Sequence, residues 1–278
     1  MNKDQFIQAL QNNSISEMQV MPKSELHSHA GRGGAISYIE KWANVKINPP
    51  SSPFSSLSEM NQWLNDNIKC HCPSGIDGYL LRVEAAFAQA FAPKTDFFPD
   101  LALGYSSDML DQLDEVFSTK WFHAIDIVNY AHTYSIKELK EICKKARSYG
   151  LVLKAHVGEF GDSDEVMRYA EELELDEIQH GIAAAKSPQI MRWLANHKIK
   201  LNVCPTSNIM LKSCESYQTH PIRILYDYGI PVTINTDDLI IFNSTLSEEY
   251  LRLFQSGLMS AEELYDICQT GLCHNYTR

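Results

Sequence analysis

A chain of 278 residues with 44% hydrophobic and 21% charged residues holds ample material for a packed core, and α/β barrels of about 250 residues fold as one domain. Its formal net charge of −11 works against tight binding to nucleic acid or to anionic membranes, because phosphates need Lys and Arg partners. Seven cysteines without a CxxC pair, no apolar signal core and no run of about 18 apolar residues exclude a disulfide scaffold and a membrane span, so a cytoplasmic protein is the expectation.

In chain order, the first 18 residues are polar and mildly amphipathic. SELHSH, residues 24–29, reads as a strand. INPPSSPFSSLSEM, residues 47–60, is the most linker-like piece, and its Pro and Ser read as a loop ending in a helix N-cap at Ser56 or Ser58. It is either a flap around 47–70 of one domain spanning 1–278 or a domain boundary. Cys70 and Cys72, on either side of His71, read as reduced loop thiols rather than metal ligands. Helices are expected in LSEMNQWLNDNI and over residues 75–91, and a strand around DLALGYS, residues 100–106.

From about residue 120 short apolar runs alternate with helical patterns. WFHAIDIV is followed by SIKELKEICKKARSYG, a helix closed by Gly150. LVLKAHVG, LDEIQHGI, IKLNVCPT and IPVTINTDD are the next runs, with helices in SDEVMRYAEEL, SPQIMRWLANH and PIRILYDYG between them. Further helices are expected in STLSEEYLRLFQ and SAEELYDICQTGL. This spacing means βα units on a parallel sheet, and unbroken apolarity fits strands buried on both faces. The sheet is either doubly wound or closed into a barrel. The absence of a GxGxxG or GxxxxGK[ST] loop after any strand argues against the nucleotide-binding doubly wound folds.

Polar residues gather at the C-terminal tips of these strands: His27 and His29, His156 with Glu159 just beyond, His180, then Asp237 and Asp238. In a parallel barrel all such tips face one mouth. Residues i and i+2 of a strand point to the same side, so His27 and His29 can ligate one ion together. His156 and Asp237 can add a third nitrogen and an oxygen, a donor set that suits Zn²⁺ or a similar borderline cation. Such a cation would relieve the repulsion between the adjacent aspartates. Each piece alone is weak: an HxH in a strand is more often incidental, and Asp-Asp is usually a turn.

PKSELHSHAG, KAHVGEFGDSDEV, DEIQHGI, VCPTSNIML and VTINTDDL, in this order, resemble the adenosine deaminase family, a metal-dependent branch of the amidohydrolase superfamily. The resemblance implies a (β/α)₈ TIM-type barrel; the stretch from Gly34 to Lys120 is short for the family, so either the barrel is trimmed between the family's first and fourth strands or segments of the natural protein are missing there. It implies one divalent transition metal, Zn²⁺ before Fe²⁺ or Mn²⁺, held by His27, His29, His156 and Asp237. Glu159 would be the proton shuttle at the purine ring nitrogen, His180 would orient or deprotonate the metal's water, and Asp238 would accept a hydrogen bond from the purine. The implied activity is hydrolytic deamination of a 6-aminopurine nucleoside, adenosine or a 5′-modified adenosine, to the 6-oxo product and ammonia. The implied partner is a small purine, not nucleic acid or membrane. The cytidine-type zinc deaminases are excluded, because their HxE…PCxxC signature is missing.

Some positions depart from the family pattern. Gly31 stands where an acidic residue usually contacts the sugar, and the neighbouring Arg32 points to an acidic or otherwise modified 5′ substituent. Asn129 stands where glycine is usual in the family, so any contact of that backbone amide with the ring would have to be made despite the Asn129 side chain. Two further readings remain open: another amidohydrolase-type hydrolysis at the same metal, and a truncated, inactive purine-binding member of the family.

Overall fold

The computed structural model describes residues 2–71, 98–104 and 110–273. The helix expected over 75–91, Cys72 and the end of the DLALGYS segment lie outside these residues. The chain divides into two compact units. One comprises residues 1–95, 204–220 and 234–273, and the other residues 96–203, 221–233 and 274–278.

A six-stranded sheet has its strands in chain order, β1 (Asp100–Leu103), β2 (Ala124–Ile127), β3 (Val152–Val157), β4 (Glu177–His180), β5 (Lys200–Val203) and β6 (Val232–Ile234), all within the second unit except Ile234. The pairs from β1 to β5 are parallel, as the βα spacing requires. All residues of β2, β4 and β6 are buried, as expected for strands covered on both faces, but they are not unbroken apolar runs: Asp126, Glu177, Gln179, His180 and Thr233 are buried among the apolar residues. Helices Ile136–Ser148, Ser163–Glu172, Pro188–His197 and Ile222–Asp227 supply the crossovers. The first starts at a reciprocal capping box, Ser135 with Glu138, and is followed by Gly150 at φ +80°.

The sheet interior is polar. Register aligns Asp126 with Lys154, Lys154 with Glu177, and Glu177 with Lys200. Buried Lys154 lies 2.8 Å from Asp100 and 3.4 Å from Glu177, whose other oxygen meets Lys200 at 3.0 Å. Asn202 donates to Glu177 (2.9 Å) and Gln179 (3.0 Å), and Gln179 donates to Asp126 (3.0 Å). A continuous relay therefore runs from Lys200 to the top of β3. Burial opposes the Glu177 charge, but Lys154 and Lys200 outweigh it and hold the carboxyl down at about 2.

In the first unit, SELHSH departs from expectation. Among the described residues it makes one parallel bridge, Ser28 to Asp237, rather than a strand. Side chains take the place of ladder groups: Leu26 N–H donates to Asn235 Oδ1 (2.8 Å), and the Glu25 carboxylate accepts from Thr236 N–H (3.1 Å) and Oγ1 (2.9 Å). Residues 47–70 pack through Ile47, Phe54, Met60, Leu64 and Ile68 with Ile36, Ile39 and Ile240–Phe242. Ser56 caps helix Leu57–Asn67, resolving the choice between the two serines. Near the N-terminus Phe6 meets Tyr250 and Tyr265 edge-on, both at 5.7 Å. Among the described residues no helix is long and apolar enough to cross a membrane.

Glu177→Gln removes a buried counter-charge and is expected to lower stability by about 3 kcal/mol in urea unfolding at pH 7. Because the folded pKa is depressed, the Glu177 contribution is full above about 4.5 and is lost as pH falls toward 2. The variant should therefore lose less stability than the parent across that window.

Candidate active site

In the first unit, the single bridge at Ser28 sets Asp237 between the two histidines that flank it. His29 N–H donates to Asp237 O (3.2 Å) and Asp237 N–H to His27 O (2.9 Å), which fixes the local register. His29 Nε2 lies 3.0 Å and His27 Nε2 3.7 Å from the same oxygen, Asp237 Oδ1. The two rings stand 5.4 Å apart at 71°. The other edge of His27 faces Cys204, with Nδ1 3.3 Å from Sγ. Ser207 Oγ donates to the second Asp237 oxygen at 2.7 Å. Asp237 has φ +61°, a left-handed conformation that Asp tolerates better than most residues.

Asp238 is directed to Arg32, whose Nε lies 3.0 Å from Oδ1. Burial disfavours a charged His29 ring, yet Asp238 and Asp237 outweigh burial and hold its pKa above the ordinary value. One ligand atom each from His29, Asp237 and Asp238 lies within 4.8 Å of the others. Two imidazole nitrogens turned onto one buried carboxylate oxygen, in surroundings that favour positive charge, form a donor set that fits a divalent transition cation.

In the second unit, His156 Nδ1 lies 3.0 Å from Asp126 Oδ1. A carboxylate accepts, so the hydrogen belongs on Nδ1, and Nε2 is the nitrogen with a lone pair to offer a ligand. Gly158, two residues on, has φ +71°, and a Cβ there would sit 2.3 Å from Val166 Cγ2. Only glycine fits, and the turn it makes carries Glu159 toward His180. Glu159 Oε2 lies 3.6 Å from His180 Nε2 and accepts from Tyr130 Oη at 2.6 Å. The His156 and His180 rings are 5.5 Å apart. His180 is left-handed at φ +63° and is followed by Gly181 at φ +68°, a strained reversal at the tip of β4. His156, Glu159 and His180 are all buried.

Within the first unit, then, His27, His29, Asp237, Asp238 and Arg32 lie together. Within the second, His156, Glu159 and His180 lie together. A Cβ on Gly31 would meet nothing within 4 Å, so its lack of a side chain is not forced by packing. The Asn129 side chain turns back on its own loop, donating to Tyr134 O (2.9 Å) and accepting from Tyr134 N–H (3.1 Å). Asp126, Gln179, Ser207, Cys204 and Tyr130 were missed from the sequence. Asp126 carried a usable signal, a carboxylate inside an otherwise apolar strand. Ser207 carried none, since it meets Asp237 across 30 residues.

The family model for adenosine deaminase matches residues 111–276, more than half of the chain. The chain belongs to the adenosine deaminase family. A Treponema pallidum protein provisionally named an adenosine/adenine deaminase is 29% identical over 89% of this chain and 96% of its own length. The chain matches 46% of the length of the Clostridium acetobutylicum adenosine deaminase, at 29% identity over 55% of this chain. Among solved structures, the apo N6-methyl-AMP deaminase of Arabidopsis thaliana superimposes with a TM-score of 0.70, at 16% identity and over 93% of both chains. A Burkholderia ambifaria amidohydrolase with bound Zn does so with a TM-score of 0.66, at 16% identity, over 94% of this chain and 87% of that one. The fold is thus the adenosine deaminase-type barrel in a form consistent with trimming, and the family assignment places the chain among hydrolytic deaminases.

Asp238 is 3% exposed, so removing the Arg32 charge leaves a carboxylate poorly compensated. Arg32→Met is expected to lower stability by about 2 kcal/mol in denaturant melts at pH 7, whereas Arg32→Lys should recover part of that loss.

Proposed function

We propose that the chain is a metal-dependent aminohydrolase that exchanges the 6-amino group of a purine for oxygen, with water consumed and ammonia released. The observation that carries this reading is the aim of His27 Nε2 and His29 Nε2 at one buried oxygen of Asp237. The substrate is a 6-aminopurine nucleoside, adenosine or a 5′-modified adenosine. Family membership supports the chemistry, and the names of relatives acting on adenosine, adenine or N6-methyl-AMP support the purine class.

In this reading His27, His29, His156 and Asp237 hold the metal, and Zn²⁺ suits three imidazoles with one carboxylate. A bound divalent cation supplies water acidified to a pKa of about 7, and hence a nucleophile at neutral pH. Asp126 keeps His156 in the tautomer that offers Nε2, and Ser207 fixes the Asp237 oxygen not needed for coordination. His180 orients the attacking water and takes its proton. Glu159 delivers a proton to the ring nitrogen beside the reacting carbon, so that negative charge need not build up on the ring. Asp238 accepts a hydrogen bond from the purine, with its carboxylate steered by Arg32.

The test is ultraviolet spectroscopy of the zinc-supplemented chain with adenosine, 5′-modified adenosines and adenine. The expected result is the shift from amino- to oxo-purine with at least one nucleoside, and no turnover of any of them contradicts the proposal. Glu159→Gln should lower kcat by about 10²–10⁴-fold without changing zinc content. Asp126→Asn should weaken zinc binding about 10–100-fold in a chelator competition.

A further inference from the structure

We infer that Tyr130 is a positioning residue for Glu159, held in place by a brace that Asn129 builds. The inference rests on the proposed role of Glu159 as proton donor and goes beyond it, because no expectation from sequence included Tyr130. Its phenol donates to Glu159 Oε2 at 2.6 Å, a short hydrogen bond that leaves the other carboxyl oxygen to carry the proton. Glu159 is 5% exposed, whereas Tyr130 is 38% exposed, so a surface-facing ring directs its polar end onto a buried carboxylate. The ring also stands edge-on to His156 and Phe160, each at 6.0 Å.

The loop holding Tyr130 is closed by its neighbour. Both polar atoms of the Asn129 side chain bond the backbone of Tyr134, and Asn129 O accepts from His132 N–H at 2.9 Å. His132 adopts φ +51° at the reversal. Asn129 Nδ2 also reaches Tyr169 Oη at 3.4 Å, on helix Ser163–Glu172. A glycine at 129 keeps the backbone bond to His132 but offers none of the three side-chain bonds. Asparagine therefore has a structural reason to stand here, and what it fixes in place is the following tyrosine. Because Tyr130 holds Oε2, the carboxyl can turn only about that contact, and its other oxygen is the one presented to a substrate nitrogen. A proton donor preset in this way loses no time or entropy to reorientation in the reacting complex.

A merely structural tyrosine would act on stability and binding, whereas a positioning residue acts on turnover. In the zinc-loaded full chain, Tyr130→Phe is expected to lower kcat about tenfold, with KM within twofold of the parent and melting temperature and zinc content unchanged. A kcat equal to the parent's overturns the inference and leaves the proposed function standing. A loss of kcat that tracks a lower melting temperature or lost zinc also overturns it. A parent chain inert toward every aminopurine overturns both.

Discussion

The hydrogen bond from His156 to Asp126 governs how the rest of the second unit must be built. An imidazole can coordinate through either nitrogen, and a buried histidine left to choose would populate both tautomers. Asp126 removes the choice, but a carboxylate inside a sheet is itself a burden unless its oxygens are satisfied. One oxygen serves His156 and the other takes Gln179. Gln179 is held by Asn202, Asn202 also by Glu177, and Glu177 by two lysines. The polar interior of the sheet is thus the extended support of one ring orientation. A barrel interior of branched aliphatic residues would pack well but would leave Asp126 without its donors.

The adjacent aspartates pose the complementary problem in the first unit. Two carboxylates in sequence repel, and both are buried. The chain separates their partners: Asp238 takes the guanidinium of Arg32, and Asp237 takes two imidazole edges and a serine hydroxyl. Asp237 holds its place in this arrangement with a left-handed backbone, φ +61°. A permanent charge suits Asp238, which has only to stay oriented. Asp237 faces two imidazole nitrogens and a serine hydroxyl, and it is the carboxylate proposed to hold the metal.

Much of this was legible in the sequence because burial writes itself as pattern. Strands β2 to β6 were visible as short runs with apolar residues at every other position, and three of the four crossover helices between them start at a side-chain cap, Ser135, Asp162 and Ser187. The histidines and carboxylates stood out at the ends of those runs. SELHSH misled because its alternation is that of a strand, while Asn235 and Glu25 take over the bonds a neighbouring strand would make. The supporting contacts stayed hidden for a different reason. Ser207 to Asp237 and Tyr130 to Glu159 join loops and helices far apart in the chain, and no local periodicity records them. Asn129 was visible as a departure, but its purpose lies in a turn that only coordinates display.

The central proposal is that His27, His29, His156 and Asp237 serve one metal ion. X-ray absorption at the zinc edge of the metal-loaded chain tests this directly, because it reads the donor atoms themselves. The account predicts one tightly held zinc with nitrogen and oxygen donors at about 2.0–2.2 Å and no sulfur among them. A sulfur shell at about 2.3 Å, which would bring Cys204 into the coordination in place of these residues, or a chain that retains no zinc, would contradict it.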